Sequence, residues 1–160
     1  MDNKSFIYSK IHTAQSIQNK LAVWRFKQEP VVFTNGCFDI LHRGHVEYLA
    51  QAAEMGKHLI IGLNTDNSVK KLKGESRPVQ DEISRALILS SLLFVDAVIL
   101  FDEDTPSELI KEIKPDILVK GKDYKPEEIA GYDTVISSGG RVETVELVAD
   151  YSTTTILNKL

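Results

Sequence analysis

Five short runs with apolar centres recur along this chain, spaced so that a helix fits between most neighbours. They are VVF from Val31, HLIIGL from His58, DAVILF from Asp96, DILVK from Asp116 and RVETVEL from Arg141. Strands alternating with helices argue for a mostly parallel sheet covered on both faces. The expected architecture is therefore α/β, three layers (α/β/α) around a mostly parallel five-stranded sheet. Ligands of such sheets bind beyond the carboxyl ends of the strands, where strand order reverses. Polar clusters follow each predicted strand: Thr34 to His45, Asn64 to Arg77, Asp102 to Thr105, Lys120 to Tyr124 and Asp150 to Thr155. All of them belong at one edge of the sheet, and they point to one pocket.

The segments between the strands carry helix signals. Ile11, Ala14, Ile17, Leu21 and Val23 or Trp24 keep helical spacing from Lys10 to Lys27, and Glu29-Pro30 ends that helix. This divides the chain into an N-terminal helical extension, 1–30, and a main domain, 31–160. Glu82 to Phe94 reads as a second amphipathic helix. Thr105 as N-cap, Pro106 behind it and Glu108 at the capping-box position open a third. A short helical turn is expected after Pro126, and a terminal helix from Ser152. Asn64 to Asp81, charged and broken by Gly74 and Pro78, reads as a long polar loop, a length that is usually functional.

At 160 residues, 42% hydrophobic, the chain can bury one adequate core. A net charge of −4 argues against a broad nucleic-acid surface. Cys37 is the single cysteine, so neither an intrachain disulfide nor a cysteine-rich zinc site can form. No apolar run approaches the roughly 20 residues that span a bilayer, and the polar N-terminus is unlike a secretory signal. A soluble cytoplasmic protein, binding neither membrane nor nucleic acid, is the expectation.

The stretch VVFTNGCFDILHRGHVEYL, 31–49, concentrates the chemistry. A strand, a glycine turn and a helix start leave backbone N–H groups and positive potential facing one point, the makings of a phosphate site. His42 and His45, separated by Arg43 and Gly44, fall on one side of the first helical turn. Three roles are open to them: turn capping, metal ligation, or donation of N–H bonds to phosphoryl oxygens as charge builds. A metal would need a third ligand, and His12 and His58 fall in predicted helix and strand. Gly44 removes a side chain where backbone would approach a ligand. Lys70, Lys71, Lys73 and Arg77 of the polar loop are either solvated or neutralise phosphate charge. Lys120 to Tyr124 is either a polar turn or a sugar-phosphate contact. Ser152, Thr153 and Thr154 could cap the last helix and cradle phosphate together. Arg85, on the face of a helix, reads as a surface residue. No base stands ready to make Cys37 a nucleophile, and Asp39 is either a turn-holding residue or a magnesium contact.

TNGCFDILHRGH resembles the signature of the HxGH nucleotidyltransferase superfamily, the cytidylyltransferase-like proteins of Rossmann-like fold. The resemblance continues through LNTDNSVKKLKGESRPV, ISRALIL, VDAVILFDEDTP, PDILVKGKDYKPEEIAG and STTTI, from about Val31 to the C-terminus. Together these segments are most similar to the heptose 1-phosphate adenylyltransferase half of ADP-heptose synthases, and less so to glycerol-3-phosphate cytidylyltransferases. The resemblance implies transfer of AMP from magnesium-bound ATP to a heptose 1-phosphate, for lipopolysaccharide core synthesis. It implies catalytic roles for His42, His45 and Lys73. The nucleotide would meet Asn35, Gly36, Cys37, Phe38, Gly44, Arg85, Ser152, Thr153 and Thr154, and the sugar phosphate Asp39, Lys120, Asp123 and Tyr124. Mg2+ would arrive with ATP, with no metal-ligand set of the protein's own. A homodimer is expected, with a separate heptose kinase supplying the acceptor. The chain departs from the family at Lys122, where glycine is frequent, and at 148–151, ahead of STT. A glycerol-3-phosphate cytidylyltransferase and a non-catalytic nucleotide-binding protein are the alternatives.

Overall fold

A computed structural model describes residues 2–123, 125–146 and 153–157. Six strands form one sheet: β1 (Ile11–His12), β2 (Val31–Gly36), β3 (His58–Asn64), β4 (Ala97–Phe101), β5 (Ile117–Gly121) and β6 (Arg141–Val145). Their spatial order is β1-β4-β3-β2-β5-β6, and every pairing is parallel. The helices are α1 (Asn3–Tyr8), α2 (Gln18–Phe26), α3 (Arg43–Glu54), α4 (Asp66–Lys73), α5 (Glu82–Ser90), α6 (Ser107–Ile113), α7 (Tyr132–Ser137) and α8 (Thr153–Leu157), with a 3-10 turn at Pro126–Glu128.

Strand periodicity sorts the core into two layers. Val32, Leu59, Ile61, Val98, Ile117 and Val119 pack with Tyr48, Leu49 and Ala52 of α3 and Ala86 and Leu89 of α5. Their neighbours Val31, Phe33, Ile60, Ala97, Ile99 and Leu118 face the other way, onto Leu21 of α2, Ile110 of α6 and Val135 of α7. Each strand is thus buried on both faces, the reason these segments read as apolar runs. The three-layer α/β/α expectation holds, with six strands in place of five.

The sixth strand corrects the expectation for the first 30 residues. The 10–27 helix is replaced by the two-residue strand β1, a turn, and α2. Ile17 and Leu21, two of the five positions of the apparent helical stripe, are fully buried in the core, so the periodicity reported burial and overstated helix length. The 64–81 loop is also corrected, since its first half is α4. Thr65 caps that helix by accepting from the Ser68 N–H, and Asp66 sits in the first turn. Pro106 rather than Thr105 occupies the N-cap of α6; the Thr105 hydroxyl bonds that of Ser107 at 3.0 Å. Helix α7 was not expected. Among the described residues no helix is long and apolar enough to cross a membrane.

Strand order reverses between β2 and β5. The chain builds outward from β2 through β3 to β4, then crosses back to lay β5 on the other side of β2. Pairing of β2 with β3 runs over six residues, from Val31↔His58 to Gly36↔Leu63. Pairing of β2 with β5 covers only Val32↔Ile117 and Phe33↔Leu118. Beyond Phe33 side chains span the gap. Tyr48 donates to the Val119 carbonyl at 3.1 Å and shares a 2.7 Å hydrogen bond with the Thr34 hydroxyl, while Lys120 Nζ reaches the Asn35 carbonyl at 3.1 Å. The crevice opens here.

Candidate nucleotide-binding site

A cavity of about 590 Å³ occupies this crevice, a size suited to a small-molecule ligand. The β2–α3 turn forms its floor. Phe38 has a left-handed backbone, φ 42, a costly conformation for a bulky residue. That bend returns its ring against His45, edge to face, with centroids 5.1 Å apart. A Cβ on Gly36 would stand 3.0 Å from the same ring, so glycine is the residue that fits beneath it. His42 then begins α3 as its N-cap, and its ring stacks on His45 at 3.8 Å with 22° between planes.

Burial holds His45 down to about 4, with the neighbouring His42 pushing the same way and the Ile40 backbone opposing; burial also lowers His42. His45 is therefore a neutral imidazole at pH 7, a hydrogen-bond donor without a full charge. Its Nδ1 is buried with no hydrogen bond of normal geometry, and so is the Oδ1 of Asn35 on the same cavity wall. Buried polar atoms left without partners are rare, and two at one cavity call for a ligand. Burial also lowers Lys120, to about 8, and raises the Cys37 thiol.

Most of the expected contacts meet here. Asn35, Gly36, Cys37, Phe38, Asp39, His42, Gly44, His45, Lys73, Lys120, Asp123, Thr153 and Thr154 all line the cavity. Tyr124, Ser152 and the 148–151 segment lie outside the described residues. Lys73 reaches the cavity from the end of α4, so a helix presents it where a loop was expected. No group of three or more His, Cys, Asp or Glu able to hold a metal ion exists among the described residues.

Two residues stand differently from their sequence reading. Arg85 is 1% exposed, buried rather than on the surface. Its Nη1 donates to the carbonyls of Cys37 (2.6 Å) and Asn64 (2.9 Å), Nε to that of Gln80 (3.0 Å), and Nη2 to the Asp66 carboxylate (2.7 Å). It clamps the ends of β2 and β3 and the start of α4 together without lining the cavity. Asp39, placed by resemblance on the sugar-phosphate side, accepts from Arg77 Nε at 2.5 Å and from the backbone N–H groups of Val79 and Gln80 at 2.7 and 3.1 Å. That is the turn-holding alternative, with both oxygens engaged. Tyr48, which the sequence reading passed over, lines the cavity and bridges its two strands; burial raises its phenol to about 12. Its signal was available, three residues after His45 on the same helical face.

Comparison with known proteins gives this geometry a family. Residues 33–159 match the model of the family described as cytidylyltransferase-like. The chain is 53% identical over 152 residues, 95% of its length, to the bifunctional protein HldE of Syntrophotalea carbinolica, and 50% identical over 159 residues to that of Campylobacter concisus, 99% of its length. It spans about a third of the length of the curated relatives it matches, 31% and 33% in these two. Those relatives are named bifunctional, so in them a second function shares the polypeptide, where a separate protein was expected. Among solved structures, the lipopolysaccharide core biosynthesis protein of Thermoplasma volcanium superposes with a TM-score of 0.62 at 32% identity, covering 78% of this chain and 99% of that one.

Proposed function

We propose an adenylyl transfer from the premise that this chain belongs to the cytidylyltransferase-like family. It is a nucleotidyltransferase that moves AMP from MgATP to a heptose 1-phosphate, giving ADP-heptose and pyrophosphate. A phosphate oxygen of the sugar attacks the α-phosphorus, the new O–P bond forms, and the bond to the bridging oxygen of the β-phosphate breaks. The attacking phosphate is already ionised at neutral pH, so no general base is required. What the site must supply is alignment and stabilisation of charge.

The observation that carries this reading is the stacked His42–His45 pair at the mouth of the strand-order reversal, with His45 neutral. Each neutral imidazole offers one N–H to oxygens where charge builds, while Lys73 and Lys120 supply positive charge from the walls. Thr153 and Thr154 are suited to the outer phosphates of ATP, and Asp123 with Lys120 to the acceptor. Arg85 acts from below, as an organiser of the turn. Magnesium enters with the triphosphate. The heptose acceptor rests on the ordered motifs shared with heptose-phosphate adenylyltransferases and on half-identity to HldE proteins. A homodimer is part of the proposal, supported by exposed Val23 and Phe26 on α2.

Pyrophosphate release tests it. Turnover with ATP and heptose 1-phosphate is the expected result. Turnover only with CTP and glycerol 3-phosphate would move the chain to the alcohol-phosphate cytidylyltransferases, and nucleotide binding without turnover would refute catalysis. Sedimentation analysis reads the dimer.

A further inference from the structure

The cavity is bordered by two arginine-bearing segments that spend their guanidinium groups differently. Arg85 spends four of its five N–H groups on protein acceptors and, buried, does not line the cavity. Arg77 uses only Nε, on Asp39, at 2.5 Å. Its two terminal nitrogens make no hydrogen bond with the described residues, yet Arg77 lines the cavity beside Lys73 and Asp39. The anchoring carboxylate is 2% exposed and the arginine side chain 18% exposed, so the guanidinium plane is fixed from beneath. Asp39 also takes the N–H groups of Val79 and Gln80, which immobilises the segment carrying Arg77.

We propose that Arg77 is an anion-binding residue of this site, presenting the free end of its fork to a phosphoryl group, and that Asp39 is the positioning residue that aims it. A guanidinium pinned through Nε keeps two parallel N–H groups for bidentate contact with phosphate oxygens. The ion pair serves the cavity as well as the loop. This deepens the proposed function and rests on it only for the source of the phosphoryl group, nucleotide or sugar phosphate.

A double-mutant cycle separates an aimed arginine from a mere latch. Calorimetric titrations with MgATP, inorganic pyrophosphate and heptose 1-phosphate would be run on the wild type, Asp39→Asn, Arg77→Met and the double variant, with thermal melts alongside. Removing both partners leaves no buried unpaired charge. If Arg77 binds phosphate, the double variant still loses about tenfold or more in affinity, as does Arg77→Met, and Asp39→Asn loses less. Loss toward MgATP and pyrophosphate assigns the nucleotide's phosphates; loss toward heptose 1-phosphate alone assigns the acceptor's. Wild-type affinity of the double variant for all three overturns the proposal. Should that variant melt out, Arg77→Gln keeps a donor toward Asp39 without the cation, and wild-type affinity there overturns it equally. Failure of the heptose reading appears separately, as no pyrophosphate release by the wild type, and leaves the ATP and pyrophosphate titrations readable.

Discussion

At the amino end of β3, His58 pairs Nε2 with Glu29 at 2.8 Å and Nδ1 with Asp96 at 3.3 Å, its ring lying flat on Trp24 at 4.0 Å. At the carboxyl end of the adjacent β2, His42 and His45 stack on each other, and His45 keeps an unsatisfied buried nitrogen. The sheet is the same and so is the residue type, but the surroundings differ. The amino edge closes over its imidazole, so that both nitrogens and one face serve the fold. The carboxyl edge leaves hydrogen-bonding capacity unspent in a cavity. A buried polar atom without a partner costs on the order of 1–3 kcal/mol, a penalty that a ligand relieves when it binds. What sets His42 and His45 apart from His58 is that their rings line the cavity.

The strongest way to break this contrast is to remove its reactive half. His42→Ala and His45→Ala are each expected to cut turnover by about 100-fold or more while shifting the melting temperature by only a few degrees, read by pyrophosphate release and circular dichroism. Unchanged turnover in either would sink the role assigned to the pair. His58→Ala should give the mirror image. Unfolding in urea should show a loss of about 1–3 kcal/mol, with kcat unaltered, because two hydrogen bonds and a stacked ring are removed far from the cavity.

Acidity sharpens the contrast further. Burial holds His45 at about 4 when folded, below the ordinary 6.5 of a free imidazole, so the unfolded chain binds the extra proton first. Its contribution to stability is complete above 6.5 and is lost as pH falls toward about 4. The stability–pH slope across that window should flatten in His45→Gln. Lys120, lowered to about 8 by burial, gives the opposite limb. Above that value it loses the charge that attracts phosphate, so the affinity for MgATP should fall by up to about tenfold per pH unit, and Lys120→Met should remove that fall. The smallest effect is at the strut between β2 and β5. Tyr48→Phe removes the hydroxyl that bonds both the Val119 carbonyl and the Thr34 hydroxyl and is expected to cost about 1–2 kcal/mol in denaturant titration.

Much of this was legible in the chain because doubly covered strands leave continuous apolar runs, and because a glycine turn followed by HRGH has few innocent readings. What escaped did so for identifiable reasons. Ile11–His12 is too short to show strand periodicity, and the buried Ile17 and Leu21 lent it a helical rhythm. Helix α4 buries only Ser68 and Val69, so its apolar face was too thin to register, although Thr65-Asp66 announced its start. Arg85 binds carbonyls 48, 21 and 5 residues away in sequence, and no local pattern encodes such partners. The Asp39–Arg77 pair, 38 residues apart, was hidden for the same reason.

The two-residue strand β1 has a consequence for the protein in crowded solution. A sheet's outer strand exposes unpaired amides and carbonyls that can template pairing between molecules. Here the outer strand on one side is only Ile11–His12, too short to seed a ladder, and the one on the other side, β6, carries the ion pair Arg141–Glu143 at 3.1 Å. Both rims are blunted against fibril growth, which lets the molecule keep an open crevice at its centre without inviting copies of itself to its borders.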